Sequence, residues 1–232
     1  MHRSLRILGT VLIVAGALTL LWALVVWQWQ DPFTALYTKW KQHELTSQYD
    51  KRARTFGPSI SGTTLAAERA SIAREAKRYR KDSKRGEAIG RIRVPRMGIS
   101  MVLVNGTDHD TLKKGPGRDQ RTFMPGENRL VYIAGHRTTY LAPFSHIDRL
   151  RSGDRITIEV PYGTFIYTVT HHRVVKSTDL SVLRSPRHEV VELQACHPRF
   201  FASHRYIAYA RLLRVEPRGA KPFELEAQAS DK

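Results

Sequence analysis

The feature that most limits how this chain can fold is an uncharged segment of 23 residues near its N-terminus. It runs from Ile7 to Trp29 and consists almost entirely of aliphatic and aromatic residues. As a helix that rises about 1.5 Å per residue it would be roughly 34 Å long, enough to cross a bilayer core of about 30 Å. Trp22 lies within it, and Trp27 and Trp29 stand at its end, where indole rings favour the headgroup region. The segment predicts a transmembrane helix.

Basic residues before this segment predict its orientation. His2, Arg3 and Arg6 favour a cytoplasmic N-terminus with the rest of the chain outside the cell. The alternative is a signal peptide cleaved at Ala15-Gly16-Ala17. Cleavage there would leave about twelve apolar residues at the new N-terminus. We therefore expect a retained, single-pass membrane anchor over residues 1–30 and an extracytoplasmic remainder.

The charge of the chain restricts its partners. Lysine and arginine number 38 against 21 acidic residues, and the formal net charge is +17. An anionic membrane surface, an anionic wall polymer and nucleic acid would all suit such a charge. Export from the cytoplasm argues against nucleic acid.

Residues 31–86 carry two helical patterns separated by a break. Apolar residues from Phe33 to Tyr49 recur close to every 3.6 residues, Gly57-Pro58 begins the break, and a basic, alanine-containing pattern covers 63–84. These features predict a basic helical stalk or linker, in which a helix leaves the bilayer and is followed by a solvated helix over 63–84. The alternative is a strip that contacts anionic lipid or wall polymer.

From residue 87 the sequence changes to short β-rich runs divided by glycine and proline. Seven or eight such strands with few helical turns predict a mainly β fold, a closed barrel with short helices over residues 87–215. Closure also removes exposed strand edges. Residues 216–232 are polar and predict a flexible tail. The candidate strands are Ala88–Val94, Ile99–Val104, Leu130–Ala134, Arg155–Val160, Phe165–Val175, Val190–Ala195 and Tyr206–Val215.

Cys196 is the single cysteine, so a disulfide within the chain is excluded. Outside the cell a lone thiol is an inert buried residue, an intermolecular linker or a nucleophile. Its surroundings favour the last, because Cys196 ends a predicted strand, His136 follows the end of another, and Arg205 opens a third. Strand ends are where a rigid scaffold presents reactive groups to a ligand.

Each of these residue types is suited to acyl transfer. The thiolate of Cys196 would attack a carbonyl, a cationic His136 would lower the thiol pKa and later protonate the leaving amine, and Arg205 would stabilise the oxyanion. His197 and His204 are rivals for the histidine role, but each adjoins Cys196 or Arg205 in an extended segment, where neighbouring side chains point apart.

Other interpretations of single residues stay open at this point. Arg137 is the main rival of Arg205. His171 and His172 are adjacent in a strand and so face opposite sides, and no cysteine or carboxylate is spaced to complete a metal shell with them. Clustered acidic oxygens for calcium are not evident either. We expect neither a metal nor a cofactor.

Three segments resemble the signature segments of the sortase family: AGHRTTY at 134–140, LQACHP at 193–198, and an arginine nine residues after the cysteine. The runs GRIRVPRMGIS at 90–100, LKKGPG at 112–117, MPGE at 124–127 and LRSGD at 150–154 are also similar to sortases. The resemblance covers residues 87–215. The combination of GHRTTY with CHPRF is closest to the class E sortases of high-GC Gram-positive bacteria, the actinobacteria.

The resemblance implies a sortase barrel and a cysteine transpeptidase. Cys196 would be the nucleophile, His136 the general acid/base, and Arg205 the residue that holds the substrate and the oxyanion. The substrates would be surface proteins with a C-terminal sorting signal of the LPxTG type, which in class E is LAxTG, cut between threonine and glycine. The acceptor would be an amine of a peptidoglycan precursor of the lipid II type.

Two further features affect how far the resemblance applies to substrate contacts and to class. Ala195 replaces the usual threonine before the cysteine, which leaves the fine contacts with substrate open. The Asp31-Pro32-Phe33 sequence is similar to the lid motif of pilin-polymerising sortases, but it directly follows the membrane helix, which favours a helix-exit turn.

Two alternatives to a sortase remain. One is another extracytoplasmic cysteine acyltransferase or peptidase, such as a wall-crosslinking transpeptidase, although that family's Ser-His-Gly-Cys segment is absent around Cys196. The other is a non-enzymatic basic protein that binds the cell wall.

Overall fold

The computed structural model describes residues 2–29 and 32–225, with only the backbone of residues 2, 26–29 and 32. An N-terminal helix, α1, spans His2–Trp29. Its segment Arg3–Val25 is long and apolar enough to cross a membrane, and none of it is buried. This fits a membrane anchor or a signal sequence. The side chains of Trp27 and Trp29, expected at the headgroup level, lie outside the described residues.

The rest of the described chain forms two long helices and a nine-stranded sheet. The helices are α2 (Pro32–Thr55), α3 (Leu65–Asp82) and the single turn α4 (His109–Leu112). The strands are β1 (Ala88–Val94), β2 (Ile99–Asn105), β3 (Gly117–Arg118), β4 (Leu130–Ala134), β5 (Arg155–Val160), β6 (Gly163–Lys176), β7 (Val190–His197), β8 (His204–Pro217) and β9 (Phe223–Glu224).

The sheet closes into a barrel of eight strands. The strand order is β6-β5-β1-β2-β3-β4-β7-β8, with β9 added to β8, and pairing of β6 with β8 completes the ring. The β2–β3 and β4–β7 pairs are parallel, whereas the other pairs are antiparallel. The expectation of a closed, mainly β barrel is therefore confirmed. β3 and β9 were missed because each has only two residues, too few to produce an alternating pattern.

Alternating side chains fill the barrel. In β5 and the first half of β6 every second residue is buried, among them Ile156, Ile158, Phe165 and Tyr167. This is the period of two expected for strands with one face in a core. All five residues of β4 are buried, so this strand is covered on both faces. Burial of the large apolar side chains is the main stabilising contribution to the barrel.

Helix α2, which was expected as a helix that leaves the bilayer, packs against the barrel. Leu45 and Tyr49 are buried against a cluster from β1 and β2. The Gln42 amide donates to the carbonyl of Lys114 at 2.8 Å and accepts from the backbone N–H of Val102 at 2.7 Å. The 3.6-residue pattern does form a helix, and the apolar stripe of that helix packs against the barrel wall.

Helix α3 is also integrated into the fold. Thr64 caps its N-terminus by accepting from the N–H of Ala67 at 3.2 Å. Ile72, Ala76 and Tyr79 enter the main core. The basic residues Arg74, Lys77 and Lys81 lie on the opposite, exposed face. A helix with a buried apolar stripe and a charged outer face is the normal form for a helix packed on a core.

The C-terminal part of the described chain continues past the expected boundary at residue 215. β8 extends to Pro217, and Phe223 of β9 pairs with Val215 and packs on the core. Residues 226–232 of the expected tail lie outside the described residues, as does Asp31 of the Asp-Pro-Phe sequence.

Candidate active site

Two parallel strands bring His136 and Cys196 to the same end of the barrel. β4 and β7 are paired in register, with Ala134 opposite Gln194. The N–H of Gly135 continues this ladder by donating to the carbonyl of Gln194 at 3.0 Å. His136 and Cys196 therefore each lie two residues beyond the Ala134–Gln194 pair, at the same end of two neighbouring parallel strands. Residues far apart in sequence meet at this edge because both strands end there.

Arg205 reaches the same place through the next strand pair. In the antiparallel pairing of β7 with β8, Cys196 lies directly opposite Arg205. Directly paired residues present their side chains on the same face of a sheet, about 4.5–5.5 Å apart at Cβ. Nη1 of Arg205 donates to the carbonyls of Ala202 and His204 at 2.8 and 2.9 Å. These bonds hold the guanidinium against the loop between β7 and β8.

The side chains of β7 alternate between the core and the outer face. Leu193 and Ala195 are fully buried and belong to the main core, whereas Gln194 and Cys196 are half-buried. Ala195 thus faces the barrel interior. A threonine there would place its hydroxyl in the core, so the Ala195 departure affects packing beneath the nucleophile.

The ring of His136 is half-buried and has a free position for a proton. Its Nε2 atom is buried and has no hydrogen-bond partner among the described residues. Burial lowers the pKa of His136, and the nearby His109 and Lys113 lower it further. A lowered pKa favours the neutral imidazole at neutral pH. His136 is therefore suited to accept a proton from the thiol first, which differs from the expected cationic histidine.

The loop after His136 has an unusual backbone that other segments hold in place. Tyr140, Leu141 and Ala142 have φ values of 53°, 61° and 38°, in the left-handed region that non-glycine residues rarely adopt. The N–H of Phe144 donates to the carbonyl of His136 at 3.0 Å. The ring of Tyr140 lies 5.0 Å from that of His136. The Tyr140 ring thus forms one wall beside the histidine.

Arg137 ties the end of β4 to the nucleophile strand. Its side chain is only 5% exposed. Nη1 donates to the carbonyl of Cys196 at 3.1 Å and lies 3.1 Å from Nδ1 of His197, while Nη2 donates to Asp148 at 2.9 Å. Sequence reasoning considered Arg137 only as a rival of Arg205. Its contacts with the Cys196 carbonyl, His197 and Asp148 suit a residue that positions the nucleophile strand.

Replacing Arg137 by glutamine is expected to lower kcat by about tenfold to a hundredfold with little change in KM. The substitution removes the bonds that fix the Cys196 backbone, and small displacements of a reacting group are costly. Steady-state kinetics with a cleavable peptide would measure both constants. Arg149→Gln is the matched control, because Arg149 is exposed in the same short turn as Asp148. Equal kcat values for the two variants, both folded, would contradict the positioning role.

The remaining candidate histidines have other partners. The ring of His171 stacks on Tyr209 at 4.4 Å, and that of His172 stacks on Tyr206 at 5.2 Å. His204 Nδ1 lies 3.0 Å from the hydroxyl of Ser203. Within the described residues, no group of three or more His, Cys, Asp or Glu residues is placed to hold a metal ion.

Glu192 is a buried acidic residue of β7, four positions before Cys196, that sequence reasoning missed. It lies on the same strand as Cys196, is 5% exposed, and its Oε2 atom has no hydrogen-bond partner among the described residues. Burial raises its pKa to about 8, so its side chain is mainly neutral at pH 7. Nothing in the sequence distinguished it from a surface glutamate, because its burial depends on the segment that covers β7.

Comparison with known proteins identifies the family. The sortase domain model matches residues 92–213 of this chain, more than half of its length. The chain belongs to the sortase family. Sortases are cysteine transpeptidases.

Similar proteins come from more than one sortase class. Sortase D of Bacillus subtilis is 32% identical over 131 residues, which cover 54% of this chain and 64% of that protein. Sortase SrtE1 of Streptomyces coelicolor is 25% identical over 149 residues, 57% of this chain and 42% of that protein. The chain thus spans less than two thirds of the length of these relatives. The comparisons support the sortase family without singling out class E.

A solved structure agrees with the fold. The Sortase D5 transpeptidase of Clostridium perfringens is 25% identical, with a TM-score of 0.60, and the match covers 75% of this chain and 98% of that one. The expected sortase-type barrel is therefore confirmed.

Proposed function

We propose that this chain is a membrane-anchored sortase that cleaves a sorting signal and transfers the acylated protein to an amine. The observation that carries this proposal is the strand register, which sets Cys196 opposite Arg205 and beside β4, whose last residue Ala134 precedes His136 by two positions. Membership of a transpeptidase family supports the reaction class.

The reaction follows from the three side chains. Nε2 of His136 takes the thiol proton, and the Cys196 sulfur attacks the carbonyl carbon of the threonine in the signal. Arg205 stabilises the negative charge that develops on the carbonyl oxygen. The C–N bond then breaks, and His136 returns its proton to the leaving glycine amine. A thioester between the substrate and Cys196 remains. The acceptor amine attacks its carbonyl carbon, the C–S bond breaks to release the Cys196 thiolate, and His136 carries the amine's proton to that thiolate.

The finer assignments rest on sequence resemblance. GHRTTY followed by CHPRF favours class E, and with it an LAxTG signal in exported proteins. The acceptor would be the amine of a lipid-linked peptidoglycan precursor. In this proposal residues 1–30 anchor the chain with the barrel outside the cell, and residues 31–86 connect the anchor to the catalytic domain. The reaction uses no cofactor.

Incubating the full chain with LAxTG and LPxTG peptides tests the proposal. We expect intact-protein mass spectrometry to detect an adduct on Cys196 equal in mass to the peptide up to its threonine. The adduct should disappear when a primary amine is added, and the amide product should appear. A matched peptide with Gly in place of the signal threonine serves as the control. Absence of any adduct with either peptide would contradict the proposed function.

A further inference from the structure

The first turns of α2 carry exposed apolar side chains immediately after the apolar helix α1. Leu36 is 69% exposed and Trp40 is 59% exposed, with Phe33 and Tyr37 beside them. The later exposed positions of the same face, such as Ser47 and Gln48, are polar. Exposed large apolar residues grouped in this way mark an interaction surface. The group is confined to the end of α2 nearest α1.

The opposite face of α2 is fixed to the barrel. Thr38 donates to the carbonyl of Lys113 at 2.9 Å, and Gln42 binds the backbone of Val102 and Lys114. Leu45 and Tyr49 are buried. The exposed apolar face therefore cannot turn inward to the barrel, and it needs a different neighbour.

Lipid is the partner that this face fits. It continues directly from a helix of membrane-spanning length and composition, and the ring of Phe33 lies 5.8 Å from that of Trp22 in α1. Nζ of Lys41 lies 4.2 Å from the centre of the Trp40 ring. A tryptophan with an adjacent lysine is suited to the headgroup region, because the indole is amphipathic and lysine is cationic with a long apolar stem.

The same turns of α2 touch the loop of the candidate catalytic histidine. The N–H of Tyr140 donates to the hydroxyl of Thr34 at 3.2 Å. The ring of Tyr37 lies 6.5 Å from that of Tyr140, which in turn lies 5.0 Å from the His136 ring. Thr34 is five residues after Trp29, the last residue of α1, so its Cα is within about 18 Å of that helix end.

We propose that the first turns of α2, from Phe33 to Trp40, lie in the lipid headgroup region and hold the catalytic loop at the membrane surface. This inference rests on the proposed function, because it concerns where the proposed reaction takes place. The active end of the barrel then opens beside the bilayer, where an amine on a lipid-linked acceptor is within reach. The far end of β8, near Pro217, points away from the lipid.

Fluorescence quenching by brominated lipids tests the contact without relying on activity. The full chain with Trp22→Phe, Trp27→Phe and Trp29→Phe keeps Trp40 as its single indole and is inserted in vesicles of phosphatidylcholine and phosphatidylglycerol. Side chains in the interface lie within roughly 5–10 Å of the headgroup and acyl boundary, so bromines placed there should remove about half of the Trp40 emission. Emission that stays unquenched in inserted protein would overturn the contact.

The matched control moves the indole two turns along α2. Trp40→Phe with Gln48→Trp in the same background should show little quenching, because position 48 lies on the exposed polar part of the helix. Equal quenching at both positions would mean that α2 lies in lipid along its whole length, and would contradict the confined contact proposed here.

A second measurement locates the active end of the barrel and retains all four tryptophans. A fluorophore on Thr139→Cys, in a Cys196→Ser background, should be quenched by a nitroxide on lipid headgroups. The same label on Lys221→Cys, beyond the far end of β8, should be quenched several-fold less. Equal quenching of the two labels would overturn the placement of the loop at the membrane. Because neither measurement needs turnover, failure of peptide cleavage and failure of this inference are distinguishable.

Discussion

Replacement of Cys196 by alanine is expected to abolish both peptide cleavage and transfer. The sulfur forms the covalent bond to the substrate in the proposed reaction, and no neighbouring side chain can replace it. Removal of the nucleophile from comparable sites lowers kcat by about 10⁴-fold or more. Steady-state cleavage of the signal peptide and the mass-spectrometric adduct would both be measured, and both should fall to background.

The fold of this variant should remain intact. Cys196 is half-buried at the end of β7, whereas the neighbouring Ala195 and Leu193 are in the core. Circular dichroism should therefore show an unchanged barrel. Gln194→Ala is the matched control, since Gln194 shares the outer face of β7, and it should keep an intact adduct. Because the chain has one cysteine, alkylation of the wild type should reproduce the loss. Turnover by a folded Cys196→Ala variant would refute the nucleophile assignment.

Replacement of His136 by alanine is expected to lower kcat/KM by about 10²- to 10⁴-fold, the usual range for loss of a general acid/base. The buried Nε2 atom, which has no hydrogen-bond partner in the described part of the chain, is the group that would take the thiol proton and later supply one to the leaving amine. His204→Ala is the matched control, because His204 lies at the same barrel end in direct pairing with His197. Loss of similar size in both variants would argue against a specific role for His136.

The pH dependence of the wild type gives an independent check on His136. Its pKa is lowered by burial and by His109 and Lys113, so the ring stays neutral and able to accept a proton to pH values below the ordinary 6.5. As pH falls through the lowered pKa, the ring is protonated and kcat/KM should decrease. The acid limb should therefore lie below pH 6.5. An acid limb well above pH 6.5 would contradict the lowered pKa of His136, because it would mean that the cationic ring is stabilised.

The helices show that a sequence pattern predicts a helix but does not predict what the helix packs against. The apolar period of residues 33–49 correctly indicated a helix, because a 3.6-residue repeat is a local property of the chain. Whether that helix is solvated depends on what lies opposite Leu45 and Tyr49, and this is decided by β1 and β2. The helix at 63–84 was expected to be solvated, but Ile72, Ala76 and Tyr79 of α3 are buried in the main core for the same reason. The exposed face around Leu36 and Trp40 could likewise be recognised only after the buried face was known.

The candidate site also has a part that the sequence predicted and a part that it did not. Cys196, His136 and Arg205 were selected from residue type, strand ends and family resemblance, all of which are present in the sequence. Arg137 could not be separated from Arg205 by such signals, because its bonds to Cys196 and Asp148 join segments that only the barrel brings together. The burial that shifts the pKa of His136 or Glu192 is also a property of surrounding segments.

The uncharged segment at the N-terminus, the β-rich region and the residues suited to acyl transfer were determined by the sequence itself. The length of an apolar segment, the alternation of apolar and polar residues and the chemistry of a side chain are local properties. They can therefore be recognised without tertiary information. Closure of β6 on β8, the docking of α2 beside Tyr140 and the positioning role of Arg137 were decided only by the tertiary structure. Each depends on contacts between residues distant in the chain, whose energies are set by packing and burial rather than by local sequence.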